Sequence, residues 1–229
     1  NGQLLLQTVD FFTPLLDDPF DFGRAAAANA LSDIWAMGGK PVMANAVMGW
    51  PVDVLGVDAA RAVMSGAMQV CTEAGVALAG GHTIELQEPI FGLSVTGLVD
   101  AGNLKTNAGA KAGDKLILTK GLGVGMLAAA LKRGLGAATD LASLTESLTQ
   151  TNAVGNELGG IAGVHAMTDV TGFGLAGHAL EMARGSHHTV QLNMRQVPLL
   201  QGVRELAEQG MLTGASGRNW SAYGNEIEL

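Results

Sequence analysis

The chain has 229 residues, of which 48% are hydrophobic and 15% are charged, and it contains 33 glycines. This composition is typical of a compact globular protein of one or two domains and excludes a disordered chain. A formal net charge of −8 argues against nucleic acid as the main partner, because binding to a phosphate backbone needs a basic face.

Strands and helices alternate along the first half of the sequence. The apolar periodicity predicts, in chain order, strand 4–9, helix 23–38, strand 41–50, helix 58–74, strand 76–79 and strand 90–99. Residues 101–113 are polar and rich in Gly, Lys and Asn, so they are the best linker candidate. We therefore expect one domain at residues 1–105 and a second at residues 106–229.

The second half shows the same alternation. Its pattern predicts strand 115–119, helices 123–132, 142–158 and 173–184, and strand 189–193. Together the two halves predict an α/β (α+β) fold. The single cysteine, Cys71, lies on the apolar face of helix 58–74, where we expect a buried, unreactive thiol.

The sequence carries no signal for export or membrane insertion. No run approaches the roughly 18 apolar residues of a membrane span, and no basic segment followed by an apolar one opens the chain. A cytoplasmic protein without membrane contact is the expectation. Truncation at both ends is also expected, because an apolar strand opens the chain with nothing before it and no closing element ends it.

Asp33 is a candidate ligand because of the helix that carries it. Helix 23–38 is apolar on all sides, and Asn29 and Asp33 interrupt it four residues apart, on one face. A buried carboxylate needs a cation, a paired base or water. The alternative is a partly exposed Asp33 that pairs with Arg24 or Lys40.

Two further aspartates follow apolar segments. Asp10 ends strand 4–9, and Asp169 ends residues 164–168 just before a glycine-containing turn. Three such carboxylates suit an oxygen-ligand site for Mg²⁺, which is typically bridged to substrate phosphates. The alternative for Asp169 is that it caps the N-terminus of the helix predicted near Phe173.

Two glycine patterns are relevant to phosphate binding. Gly172, Gly174 and Gly177 match a dinucleotide fingerprint, but the next predicted strand, 189–193, ends without an acidic residue for a ribose, which argues against that reading. Residues 79–83 read Ala-Gly-Gly-His-Thr, and their backbone N–H groups, with His82 and Thr83 as donors, could approach an anion. The alternative is a plain turn with an exposed histidine.

The motifs together resemble one family. Residues 8–12, 18–24, 29–41, 79–83, 88–93 and 167–178 are similar, in order, to selenophosphate synthetase (selenide, water dikinase). Two relatives in the same superfamily, aminoimidazole ribonucleotide synthetase and thiamine monophosphate kinase, share its architecture. They lack the Thr-Gly-Phe-Gly-Leu sequence found at residues 171–175.

The resemblance implies a fold, a reaction and a set of site residues. The fold is the aminoimidazole ribonucleotide synthetase-like two-domain fold, in which the sheet of the N-terminal, ATP-binding domain pairs with that of a second subunit into a dimeric barrel. The reaction converts ATP, selenide and water into selenophosphate, AMP and orthophosphate. The matching positions are Asp33 and Asp169 as Mg²⁺ ligands, Asp10 and Asp33 as ATP-site carboxylates, and Gly81, His82 and Thr83 as a nucleotide-contacting loop that serves the partner's site.

The resemblance also implies that some chemistry lies outside this chain. The family's reactive Cys or selenocysteine and a nearby Lys belong to a segment expected before residue 1, so no catalytic residue is assigned here. Two alternatives remain open at this point: a non-catalytic, nucleotide-binding homodimer of the same superfamily, or another ATP-dependent enzyme of that superfamily.

Overall fold

The computed structural model describes residues 2–135 and 138–229, and the chain divides into two compact units. The first unit contains Asn1–Thr106 and Leu148–Thr168, and the second contains Asn107–Ser147 and Asp169–Leu229. Residues 148–168 thus group with the N-terminal part of the chain. The assignment of an ATP-binding domain to residues 1–105 and of a second domain to residues 106–229 stays a prediction.

The first unit is built on a mixed four-stranded sheet. Its elements are β1 (Gln3–Phe12), α1 (Pro19–Ala36), β2 (Lys40–Trp50), α2 (Val52–Glu73), β3 (Ala77–Glu85) and β4 (Ile90–Asp100). The strand order is β1-β4-β2-β3, in which β4 pairs antiparallel with both neighbours and β2 pairs parallel with β3. β1 and β3 are therefore the two edge strands.

The core of this unit lies between the sheet and helices α1 and α2. Most of α1 is buried, as its largely apolar sequence predicts, whereas Asn29 and Asp33 are half-buried. The two helices touch through glycines: a Cβ added at Gly23 would lie 1.9 Å from the Val63 carbonyl oxygen, and one at Gly66 would lie 2.0 Å from the Phe20 carbonyl oxygen. The backbones of α1 and α2 are therefore in direct contact where the two helices cross.

Two helices of the first unit begin earlier than the sequence predicted. Helix α1 starts at Pro19, because Asp18 caps it by accepting the Asp21 N–H at 2.9 Å and Pro is favoured at the first helical position. Helix α2 starts at Val52 and is interrupted at Gly56, whose φ of 72° lies outside the helical region.

The regular elements described in the second unit are helices. After α3 (Val124–Lys132) and α4 (Ala138–Thr149), the chain forms α5 (Val154–Gly159), which belongs to the first unit, and then α6 (Gly174–Ser186), α7 (Val203–Glu208) and α8 (Gly214–Tyr223). Short 3-10 helices occupy Met194–Gln196 and Gly224–Glu226. The helix predicted at 142–158 is thus two helices, α4 and α5.

The strands predicted at 115–119 and 189–193 are wrong. Among the described residues of the second unit, the only ladder-like pairing is an isolated parallel bridge between Leu122 and Leu199. Apolar alternation favours a strand only where a neighbouring strand supplies hydrogen bonds, and these segments have none. Within residues 2–135 and 138–229, no helix has the length and apolarity that crossing a bilayer requires.

Candidate nucleotide and metal site

Two carboxylates of the first unit are held between β1 and α1. The Thr8 hydroxyl donates to Asp33 Oδ2 at 2.5 Å, and the Asn29 amide donates to Asp10 Oδ2. All four side chains are half-buried. The sequence placed Asn29 and Asp33 on one face of a helix, and the structure shows that this face meets β1.

The spacing of the two elements explains why both contacts form. Two residues along a strand advance by about 6.7 Å, and four residues along a helix advance by about 6 Å. The pair Thr8 and Asp10 therefore matches the pair Asp33 and Asn29 when strand and helix run in opposite directions. On β1 the intervening Val9 points to the other face of the sheet and is exposed.

Gly81, His82 and Thr83 lie within β3, where the sequence predicted a loop after a shorter strand. The strand continues through these residues because β2 pairs with it as far as Glu85. A glycine is needed at position 81, since an added Cβ would lie 2.3 Å from the Ala46 carbonyl oxygen of β2.

The two groups of candidate residues in the first unit do not meet within one copy. β3 is separated from β1 by β4 and β2, which corresponds to about 14 Å for three interstrand spacings. Asp10 on β1 and His82 on β3 therefore occupy opposite edges of the sheet. His82 and Thr83 are exposed along their edge.

Asp169 lies in the second unit on an irregular segment before α6. The helix begins at Gly174, its N-cap is Phe173, and no side chain caps it. The interpretation of Asp169 as the N-cap is therefore wrong, because the carboxylate lies four residues before that position.

The three glycines after Asp169 have different roles. Gly174 adopts a φ of 70°, which favours glycine at the start of the helix. A Cβ at Gly177 would lie 2.7 Å from Phe173 Cβ and 2.9 Å from the Tyr223 hydroxyl, so this glycine permits close packing. A Cβ at Gly172 would meet nothing within 4 Å. Gly172 nevertheless lies within the turn that the Gly174 N–H closes on the Thr171 carbonyl at 3.0 Å.

Three side chains bind the backbone that follows Asp169. His178 Nε2 lies 3.0 Å from the Thr171 N, the Asn219 amide donates to the Gly172 carbonyl at 2.9 Å, and the Tyr223 hydroxyl donates to the Phe173 carbonyl. Sequence analysis missed all three. Of the three, only His178 is close in sequence to the segment that it binds, one turn after Gly174. Asn219 and Tyr223 belong to α8, a helix that the sequence did not predict.

Lys120 is the cation whose charge interacts with Asp169. Burial lowers the pKa of Lys120, and the Asp169 carboxylate opposes that shift. The ammonium also donates to the Ser147 carbonyl at 3.4 Å. Sequence analysis did not single out this residue, although it precedes the glycine-rich stretch 121–125.

Cys71 fits the prediction of a structural cysteine. It is 1% exposed and unpaired by any disulfide. Burial raises the pKa of its thiol to about 11. A thiol of that pKa is protonated at neutral pH and is a poor nucleophile.

The carboxylates are chemically suited to Mg²⁺. Within the described part of the chain, no group of three or more His, Cys, Asp or Glu side chains is arranged to hold a metal ion. Mg²⁺ is usually held by one or two carboxylates, with substrate phosphates and water completing its octahedron. The Asp10 and Asp33 carboxylates, each of which accepts a hydrogen bond from a neutral donor, offer oxygens of the chemical type that Mg²⁺ prefers.

Both halves of the chain match one family. Residues 1–99 match the N-terminal domain of AIR synthase related proteins, and residues 111–219 match the C-terminal domain. The chain belongs to the AIR synthase related family. Among curated members of this family, a protein from Paraburkholderia xenovorans (strain LB400) named selenide, water dikinase is 55% identical over 227 residues. That alignment covers 99% of the chain and 64% of the relative, so the chain spans less than two thirds of the relative's length.

Solved structures share the fold of the chain. Thiamine-monophosphate kinase from Stenotrophomonas maltophilia K279a superposes with a TM-score of 0.77 at 23% identity, covering 93% of this chain and 72% of that one. Hydrogenase maturation protein HypE in complex with ATP superposes with a TM-score of 0.75 at 21% identity, covering 93% of this chain and 65% of that one. These matches confirm the predicted fold class, and the identity to selenide, water dikinase confirms the resemblance drawn from the motifs.

Proposed function

We propose that the full-length protein containing this chain is a selenide, water dikinase that forms selenophosphate, AMP and orthophosphate from ATP, selenide and water. The observation that carries the proposal is the 55% identity, over nearly the whole chain, to a relative of that name. ATP as the phosphoryl donor is further supported by the HypE neighbour, which was solved in complex with ATP.

In this proposal, the aspartates bind the nucleotide through metal ions. Asp33 and Asp169 serve as Mg²⁺ ligands, and Asp10 serves as a carboxylate of the ATP site. Bound Mg²⁺ would neutralise the triphosphate and stabilise the negative charge that develops during phosphoryl transfer. Thr8 and Asn29 orient the carboxylates of Asp33 and Asp10 by donating to one oxygen of each.

The proposal includes a homodimer whose second subunit completes the site. Gly81, His82 and Thr83 lie on the edge strand farthest from Asp10 in the same copy, so they would contact the nucleotide of the partner subunit. The surface expected to pair includes the face of β1 that carries Leu5, Val9 and Phe11, which is apolar and exposed. Burial of this face and of the unpaired strand edges would stabilise the dimer.

Formation of AMP from ATP in the presence of selenide tests the enzymatic proposal. We expect Asp33→Asn and Asp169→Asn in the full-length protein each to lower the rate at least about 100-fold at saturating Mg²⁺, since an amide cannot replace a charged metal ligand. Asp58→Asn is the matched control, because Asp58 is exposed on α2 and its ion pair with Arg61 lies at the surface. Wild-type turnover in either site variant would refute the assignment, and absence of selenide-dependent AMP in the wild type would favour a non-catalytic member.

Analytical ultracentrifugation tests the proposed assembly. We expect a dimer of the full-length protein at micromolar concentration, and Val9→Asp should weaken it because the substitution buries a charge in an apolar interface. Val54→Asp is the control, since Val54 is 80% exposed at the start of α2. A wild-type monomer, or equal dissociation in both variants, would overturn the proposed interface.

A further inference from the structure

The segment that carries Asp169 has no regular secondary structure to hold it. Residues 161–173 contain no helix or strand. Near Asp169, the Met167 N–H donates to the Thr106 carbonyl at 3.1 Å, and the Gly174 N–H closes a turn by donating to the Thr171 carbonyl at 3.0 Å. One hydrogen bond of this kind contributes only about 0.5–1.5 kcal/mol. A metal ligand, however, must be held within a fraction of an ångström to bind well.

Helix α6 supplies the first additional restraint. The Thr171 N–H can only donate, so His178 Nε2, 3.0 Å away, accepts and carries no proton. The ring proton is therefore on Nδ1, which lies 3.1 Å from Glu181 Oε2. Glu181 thus fixes the tautomer and the orientation of the imidazole, as a carboxylate does for histidines in many active sites. His178 is itself buried.

Helix α8 supplies two more restraints from a distant part of the sequence. The Asn219 amide donates to the Gly172 carbonyl at 2.9 Å, and the Tyr223 hydroxyl donates to the Phe173 carbonyl. Three consecutive residues, 171 to 173, are therefore each bound through a backbone atom by a side chain from a helix. We call His178, Asn219 and Tyr223 the backbone clamp.

From this geometry we infer that the backbone clamp positions the Asp169 carboxylate for Mg²⁺-dependent nucleotide binding. The three clamp residues are positioning residues: they act two to four residues from Asp169 in sequence, on the backbone. This inference rests on the proposed role of Asp169 as a metal ligand. It assigns to α8 a function in the site that its sequence position, some fifty residues downstream, does not indicate.

The test measures the Mg²⁺ concentration that half-saturates binding of a non-hydrolysable ATP analogue, AMPPCP, to the full-length protein by calorimetry. Tyr223→Phe and Asn219→Asp each remove one donor with little change in shape. We expect the half-saturating Mg²⁺ concentration to rise about tenfold, the lower end of what loss of an outer-shell partner costs in metal affinity. His178→Gln keeps an acceptor near the position of Nε2, so it should be less affected than His178→Leu.

Arg184→Gln is the matched control. The Arg184 guanidinium pairs with Glu226, so it also ties α6 to the chain just after α8, but at the surface and without touching residues 169–173. A variant that merely loosens α8 would resemble this control. Wild-type Mg²⁺ dependence in Tyr223→Phe and Asn219→Asp, or an equal change in Arg184→Gln, would overturn the inference.

A double-mutant cycle separates this inference from the proposed function. If the clamp acts through Asp169, Tyr223→Phe should have no further effect on Mg²⁺ dependence in an Asp169→Asn background. Full additivity of the two changes would refute the clamp while leaving the metal site intact. If Asp169→Asn alone leaves Mg²⁺-dependent binding unchanged, the proposed role of Asp169 fails instead.

Discussion

The two units hold their candidate carboxylates in different ways. In the first unit, Asp10 and Asp33 lie on a strand and a helix that pack around a shared core, and each accepts a hydrogen bond from the opposite element. In the second unit, Asp169 lies on an irregular segment whose backbone is bound by side chains of α6 and α8. Position in the first case follows from core packing, and in the second from a few polar contacts.

This difference predicts which substitutions should displace the candidate carboxylates of each unit. Substitutions that disturb the α1–α2 core should displace Asp10 and Asp33 together and should cost stability. Substitutions of Asn219 and Tyr223 should displace Asp169 with a smaller effect on stability, because their hydrogen bonds to the backbone are exposed. Three measurements on the first unit test how firmly its packing holds the structure around Asp10 and Asp33.

The largest effect is expected for Gly23→Ala. The new Cβ would lie 1.9 Å from the Val63 carbonyl oxygen, so α1 and α2 must move apart. Overpacking of a core usually costs about 1–3 kcal/mol and occasionally more, and a backbone clash should lie at or above about 3 kcal/mol. Urea unfolding followed by tryptophan fluorescence measures the change.

Gly217→Ala in α8 is the control for this substitution, because its Cβ would meet nothing within 4 Å. It should stabilise the protein by about 0.5–1 kcal/mol, as expected for replacing a helical glycine. Equal unfolding midpoints for the two variants would contradict the close crossing of α1 and α2.

A smaller effect is expected for Thr8→Val. The substitution keeps the shape of the side chain but removes the hydroxyl that donates to Asp33 at 2.5 Å. A hydrogen bond to a charged group contributes about 1.5–3 kcal/mol, so we expect a loss of about 2 kcal/mol in unfolding free energy. Thr72→Val removes an exposed hydroxyl bound to the Met68 carbonyl and should cost less than about 0.5 kcal/mol. A similar loss of unfolding free energy in both variants would show that the hydrogen bond to Asp33 stabilises the protein no more than an exposed hydrogen bond does.

The smallest effect at neutral pH concerns Cys71. Burial raises the pKa of its thiol from 9.0 to about 11, so the folded protein holds the thiol proton more tightly than the unfolded chain does. The stability that this proton contributes is complete below pH 9 and is lost as the pH rises towards about 11. A disulfide reagent at pH 8 should label Cys71 only after urea unfolding. Rapid labelling of the native protein would show that the core around α2 opens readily.

The contacts of the candidate residues were more predictable from the sequence in the first unit than in the second, because the contacts differ in their separation along the chain. The apolar pattern around Asn29 and Asp33 identified a buried helix with one polar face, and that local information determines which residues meet β1. The contacts of residues 171–173 come from Asn219 and Tyr223, more than forty residues away on a helix with no strong apolar periodicity. Only Thr213, which caps α8 by accepting the Ser216 N–H, marked its start.

The errors in strand prediction have a related cause. Gly80 and Gly81 resemble turn residues, but parallel pairing with β2 extends β3 through them, and the close approach to Ala46 requires the glycine at position 81. Residues 115–119 contain a short apolar run typical of a strand, yet Ile117 is 83% exposed and the segment pairs with no strand among the described residues. In both cases the presence or absence of a neighbouring strand decides whether the segment forms a strand. The local sequence pattern carries no information about that neighbour.

The strand order of the first unit also bears on how the chain folds as it leaves the ribosome. β2, α2 and β3 are consecutive and adjacent, so they can assemble early, whereas the strand beside β1 in this sheet is β4, which ends at Asp100. β1 packs against α1, but it must wait for β4 before it gains its strand neighbour in this sheet. We expect β1 to acquire hydrogen-exchange protection later than β2 in pulse labelling during refolding, and simultaneous protection would exclude this order. Until β4 is synthesised, the backbone hydrogen-bonding groups of β1 lack this partner strand, and an unpaired strand is prone to aggregate.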